Sequence, residues 1–230
     1  SFGIGKNYAS FASFIGEIHK TEAEIIVLTP WSGEYHDKIA KEIDLLILPG
    51  GADLSPYLYG QSPSWFTGNP DVFKEHFFRA HLSRYVNAGT PIFGICLGFQ
   101  MLNVYFGGKL KQHVANPSLH QKDERWAEAH EVALLGTKIK GGERETIGVN
   151  SHHHQAVTYE FLGKELEPLS VSAELSKIPS NKNLSRGTLI ESFIHKELPI
   201  AGVQWHPEEW YDEHTFSLIR NILQKEKQLA

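Results

Sequence analysis

Sulfur is nearly absent from this sequence, which has one Cys and one Met in 230 residues. A single Cys excludes an intrachain disulfide and fits a reducing compartment better than secretion. No apolar run approaches the ~20 residues that a membrane-spanning helix needs. A basic surplus is also missing: 22 Lys and Arg stand against 27 Asp and Glu, a formal net charge of −5. Nucleic acid and membrane are therefore not the expected partners. The opening residues carry no cleavable-signal pattern, so a cytoplasmic chain is expected. Internal repeats and dividing linkers are absent too, and the expectation is one domain over 1–230. What is present has an ordinary globular balance, 41% hydrophobic and 21% charged, with ample length to bury a core.

Short β-branched runs alternate with longer helical stretches. The runs 25–28, 43–48 and 91–95 read as buried strands, each bounded by Pro or Gly. A short helix is expected over 36–42. Residues 71–88 space their apolar side chains by three and four, which predicts one amphipathic helix; 98–106 predicts another, ended by Gly107-Gly108. The Pro-rich stretch 52–70 reads as a long surface loop. Strands without alternation, separated by helices, indicate a parallel sheet covered on both faces. Beyond residue 109, strands at 130–135, 143–149, 168–175, 188–194 and 200–205 suggest a mixed or antiparallel extension. An exposed hairpin or loop is expected over 176–187, and a closing helix over 211–228. The fold class is α/β.

The sole Cys lies in Gly94-Ile95-Cys96-Leu97-Gly98, at a strand-to-helix junction. This is the pattern of a nucleophile elbow with Cys in place of Ser. A lone Cys is commonly a packed small hydrophobe. Flanking glycines, expected to let the chain turn sharply, shift the reading to a presented thiol. A helix N-terminus also favours thiolate. Gln204-Trp205-His206-Pro207-Glu208 supplies a proton-transfer partner: two residues apart on an extended segment, Glu208 can orient the His206 ring. For a developing oxyanion, the Leu97 N–H is one donor, and Gly50-Gly51 offers the second, at Gly51. A plain turn is the alternative reading of that glycine pair.

The run Asn150-Ser151-His152-His153-His154-Gln155 invites a metal reading. Adjacent His side chains diverge, however, and no further cluster completes a tetrahedral set. A polar loop lining a substrate pocket is preferred, with no metal and no cofactor expected.

Four motifs now stand in order: Pro49-Gly50-Gly51-Ala52-Asp53, Gly94-Ile95-Cys96-Leu97-Gly98-Phe99-Gln100, Val149-Asn150-Ser151-His152-His153-His154-Gln155 and Gln204-Trp205-His206-Pro207-Glu208. Together they resemble the class I glutamine amidotransferase superfamily, and most its gamma-glutamyl hydrolase branch, similar to gamma-glutamyl-GABA hydrolase. The resemblance implies a flavodoxin-like α/β fold with a central, mostly parallel sheet, and a Cys96–His206–Glu208 triad. It also implies that Gly50, Gln100, Ser151, His152 and His153 surround the amino-acid end of a glutamine-like substrate. Leu97 stands where many hydrolase-branch members carry Arg, and is closer to the ammonia-transferring amidotransferases.

The leading expectation is hydrolysis of a small gamma-glutamyl amide through a thioester on Cys96. The runner-up is a glutaminase subunit that passes ammonia to a synthetase partner chain. A catalytically dead binding module and a redox or chaperone protein built on a similar Cys elbow rank below both. The amine part of the substrate has no readable code.

Overall fold

Helices with one apolar face and strands that are apolar throughout must form a sheet covered on both sides. The computed structural model has that form. It describes residues 13–14, 16, 24–31, 33–121, 127–136, 145–173 and 184–229. In chain order these residues form helix α1 (Tyr35–Ile39), strand β1 (Leu46–Leu48), helices α2 (Val72–Ala80) and α3 (Leu82–Ala88), β2 (Ile92–Ile95) and α4 (Leu97–Tyr105). A short α5 (Pro117–His120) follows, then β3 (His130–Leu134), β4 (Thr146–Val149), β5 (Val157–Thr158), β6 (Leu166–Ser172), β7 (Leu189–His195), β8 (Ile200–Val203) and α6 (Glu213–Leu229).

The eight strands make one sheet in the order β1-β2-β8-β7-β6-β3-β4, with β5 paired to β7. β2 pairs in parallel with both β1 and β8. From β8 outward through β7, β6, β3 and β4 every pairing is antiparallel. The expected α/β fold with a mixed extension is therefore present. Among the described residues its parallel part is three strands wide, and the antiparallel extension is the larger portion.

Successive side chains of a strand point to opposite faces, and the core divides accordingly. Leu46, Leu48, Ile92 and Ile200 pack with Phe77, Leu82, Tyr85, Phe99 and Leu102 from α2, α3 and α4. Phe93, Ile95, Ala201 and Val203 face the other way and pack with Leu218, Ile219 and Ile222 of α6. Burying such side chains contributes roughly 1.5–3 kcal/mol each. Asp212 ties α6 to the sheet, accepting from Thr215 N at 2.7 Å and from Trp205 Nε1 at 2.9 Å.

Two expectations are corrected. The run 25–28 is not a strand, and Ile26 and Val27 are 39% and 46% exposed. Apolar composition permits a strand, but a ladder needs a neighbour, and among the described residues β1 pairs only on its β2 side. The helix expected over 71–88 is two helices. His81 breaks it at φ −129° and donates from Nε2 to Pro30 O at 2.8 Å, inside a buried cluster with His36. The expected surface loop over 52–70 is present, with a single 3-10 turn at Pro56–Tyr59. It is anchored rather than loose: Gln112 Oε1 accepts from Ser64 N and Thr67 Oγ1, both at 2.7 Å. Of the hairpin expected over 176–187, residues 176–183 lie outside the described residues.

Candidate active site

β2 delivers the chain to Cys96 and α4 carries it away. The Cys96 amide still belongs to the sheet, donating to Val203 O at 2.9 Å, while its carbonyl already accepts the first helical bond from Gln100 N at 3.1 Å. Turning from strand to helix within one residue puts Cys96 at φ 50° and ψ −104°. It is the one non-glycine with positive φ among the described residues. Such a conformation costs about 1–3 kcal/mol and persists only where its surroundings enforce it.

The flanking glycines do not make the turn, contrary to expectation. Neither Gly94 nor Gly98 has a positive φ. They are required by close approach. A methyl on Gly94 would come 2.7 Å from the backbone of Gly98, and one on Gly98 would collide with the Leu48 carbonyl. The glycines let α4 sit down on the ends of β1 and β2, and the strain falls on the cysteine.

His206 and Glu208 follow β8, beside β2. His206 Nδ1 and Glu208 Oε1 are 2.9 Å apart, and both side chains are buried. The segment is not extended as expected but a turn, in which Glu209 N and Trp210 N both donate to His206 O. Pro207 sits inside that turn, and the two side chains still converge. Asn150, from the loop after β4, fixes the His206 backbone from outside, accepting from its N at 3.0 Å and donating to its O at 2.9 Å. Nε2 is the ring nitrogen left for the thiol. A methyl on Gly50 would lie 2.6 Å from His206 Cε1 and 3.4 Å from Cys96 Cβ, which shows how tightly Gly50 closes on the pair. Burial opposes a proton on His206. The charges on Cys96 and Glu208 and their hydrogen bonds outweigh it, and the imidazole pKa is raised to about 10.

Cys96 opens onto a cavity of about 190 Å³ lined by Gly51, Leu97, Gln100, His152 and His153 among others. That is small beside the ~300–1,000 Å³ of drug-sized ligand sites. Leu97 N–H, at the first helical position, has no intrahelical acceptor. Ser151 does not face the cavity as a side chain: its Oγ donates to His120 O at 2.7 Å. Gln100 lines the cavity, but its amide donates inward to Gln155 O at 3.0 Å and Gln204 Oε1 at 3.1 Å.

Lys74, in α2, is also at the site. Its Nζ donates to Gly50 O and pairs with Asp71 Oδ2 at 3.5 Å. Burial lowers its pKa, and Asp71, Cys96 and Glu208 act against that shift. The Gly50 carbonyl and the Gly51 N–H belong to one planar trans unit and point in opposite directions. Holding the carbonyl toward Lys74 therefore aims the Gly51 N–H the other way.

A family model described as Peptidase C26 matches residues 4–208. The chain belongs to the Peptidase C26 family. It is 32% identical over 219 residues to the glutamine amidotransferase-like protein YvdE of Lactococcus lactis, covering 91% of this chain and 86% of that one. It is 29% identical over 206 residues to a glutamine-hydrolyzing GMP synthase subunit of Pyrococcus abyssi, covering 86% and 96%. Among solved structures, the glutaminase domain of Trypanosoma brucei CTPS, with bound acivicin, superposes with a TM-score of 0.61 at 14% identity, covering 98% of this chain and 90% of that one. That likeness is one of fold.

For this C26 chain, sequence reasoning missed two site residues. Asn150 stands inside one of the four motifs, but nothing local told that its amide would meet the His206 backbone. Lys74 had no signal at all, because it lies in a helix with no motif and reaches Gly50 only through the packing of α2. Among the described residues no helix is long and apolar enough to cross a membrane.

Proposed function

We propose that this protein hydrolyses the amide bond of a gamma-glutamyl compound, either glutamine or a gamma-glutamyl conjugate, through a thioester on Cys96. The observation that carries the reading is Cys96 held at φ 50° beside a buried pair, His206 Nδ1 and Glu208 Oε1, that are 2.9 Å from each other. In the acylation step Cys96 Sγ attacks the gamma-carbonyl carbon, and the carbonyl oxygen takes the electron pair. The N–H groups of Gly51 and Leu97 donate to that oxyanion; one such donor is typically worth ~10²–10³ in rate. His206 gives its proton to the leaving nitrogen, the C–N bond breaks and the amine departs. His206 then takes a proton from water, whose oxygen attacks the thioester. The C–S bond breaks, and glutamate leaves with Cys96 restored.

Glu208 keeps the ring oriented and its positive charge matched. Lys74 is a positioning residue: it holds the Gly50 carbonyl and thereby the Gly51 N–H, without touching substrate. Gly50 packs against His206 and Cys96, and Gln100, His152 and His153 form the wall toward the glutamyl end.

A second reading keeps the same half-reaction but makes the chain a glutaminase component that supplies ammonia to a separate synthetase chain. The similarity to the P. abyssi GMP synthase component supports it. Assaying the isolated chain on glutamine and on a panel of gamma-glutamyl amines separates the two. A free hydrolase turns over unaided and accumulates a glutamyl adduct on Cys96, detectable by intact-protein mass spectrometry. A partner-dependent glutaminase is slow on every compound. Full activity in Cys96→Ala rejects both readings.

A further inference from the structure

Next to the cavity wall at His153, three buried residues from separate segments converge. His120 ends α5, His130 opens β3 and Glu191 lies in β7. Their relative exposures are 0%, 8% and 1%. His130 Nε2 is 3.5 Å and His120 Nδ1 4.0 Å from the same oxygen, Glu191 Oε1. The two imidazole rings meet edge to face at 4.6 Å, and one donor atom from each residue lies within 4.8 Å of the others. Neither Glu191 oxygen has a hydrogen bond of normal geometry among the described residues.

We infer that His120, His130 and Glu191 form a binding site for one divalent transition-metal ion of the Zn²⁺ type, which has a structural role. The donor chemistry selects the ion: two imidazole nitrogens and one carboxylate oxygen suit Zn²⁺, whereas Ca²⁺ and Mg²⁺ want oxygen throughout. A buried carboxylate whose hydrogen bonding is incomplete is costly unless a cation compensates it. A fourth donor is at hand in His153, whose ring lies 4.9 Å from that of His120. Its Nδ1 donates to Gln155 O at 2.9 Å, which leaves Nε2 as the lone-pair nitrogen, buried and with no hydrogen-bond partner among the described residues. That is the tautomer fixing seen in metal-bound His.

The position explains what the ion would hold together. His120 O accepts from both Ser151 Oγ at 2.7 Å and His153 N at 2.8 Å, so α5 is already joined to the loop that walls the cavity. Glu191 O accepts from Gln204 N at 2.8 Å, two residues before His206. An ion on these side chains would lock α5, the 150–155 loop and the β7–β8 pair around one point.

The test is Co²⁺ titration of metal-stripped protein, followed by visible absorption, with Zn²⁺ competition and thermal melting. Neither readout depends on turnover. Expected are one equivalent of Co²⁺ with the intense bands of a four-coordinate nitrogen–oxygen site, displacement by Zn²⁺ and a raised melting temperature. Cys96→Ala retains all of these, without change in the spectrum. Glu191→Gln and His130→Asn each weaken Co²⁺ binding at least tenfold, with near-UV circular dichroism reporting whether the metal-free variant is folded. If both variants fail to fold, wild type and Cys96→Ala decide alone. Absence of cobalt absorption and of any melting shift in the wild type overturns the site. So does a thiolate-to-cobalt charge-transfer band that vanishes in Cys96→Ala, since the ion would then sit on Cys96.

Discussion

Asn150 grips the backbone of His206 with both ends of its side-chain amide, accepting from the N–H at 3.0 Å and donating to the C=O at 2.9 Å. Both partners are buried, so removing the amide strands the His206 N–H away from water at ~1–3 kcal/mol, whereas the carbonyl keeps its bonds from Glu209 N and Trp210 N. Asn150→Ala is expected to lose roughly one to two orders of magnitude in kcat, because the imidazole loses its register. Alkylation of Cys96 by iodoacetamide should persist, as the thiol's own position comes from β2 and α4. Unchanged kcat would show that Pro207 and the turn hold His206 unaided.

Cys96→Ala and Cys96→Ser should abolish turnover and the covalent adduct while melting within a few degrees of wild type. The strained residue is replaced by one of similar size, and the elbow is enforced by neighbours rather than by sulfur. A variant that unfolds would refute the view that packing around Gly94 and Gly98 sets the turn.

Gly98→Ala tests that packing directly. A methyl there meets the Leu48 carbonyl, a backbone atom that cannot swing aside. Overpacking of this kind costs about 1–3 kcal/mol or more. A drop in melting temperature of several degrees is expected, with weakened activity, and no change would mean that α4 can shift freely.

The raised pKa of His206, about 10, has a definite sign. The folded protein keeps a proton that the unfolded chain releases near 6.5, so the stabilisation is complete below pH 6.5 and is lost as pH rises through about 10. Delivery of that proton to the leaving nitrogen fails over the same limb, and kcat/KM should fall as pH rises through about 10. Glu208→Gln removes one of the two anions that support the imidazolium. The alkaline limb should then move to lower pH, along with a large loss of kcat. A limb at the same pH in the variant would contradict the pairing.

Lys74→Met should lower kcat ten- to a hundredfold with KM changed little, since the Gly51 N–H is engaged mainly in the transition state. Lys74→Arg, which keeps a donor near Gly50 O, should recover part of the loss. Equal losses in both variants would assign Lys74 to packing alone.

The sequence by itself determined what is local. The strand-to-helix junction at Cys96, and a carboxylate two residues from His206, are matters of a few bonds. So too are the two-sided core, which follows from apolar strands, and the long amphipathic helix α6. Even there the local argument ran through a wrong geometry twice: the elbow strain sits on Cys96 rather than on its glycines, and the His206–Glu208 segment is a turn rather than a strand. The tertiary structure alone decided what needs distant segments to meet. It broke the 71–88 helix at His81, whose ring is drawn to Pro30 O, kept 25–28 out of the described sheet, and brought Lys74 to Gly50 and Asn150 to His206. It also gathered His120, His130 and Glu191 from three segments whose spacing resembles no metal motif. A residue's intrinsic preference acts over neighbouring bonds, but a hydrogen bond or an ion pair across the sheet exists only once the core has packed and set the distance.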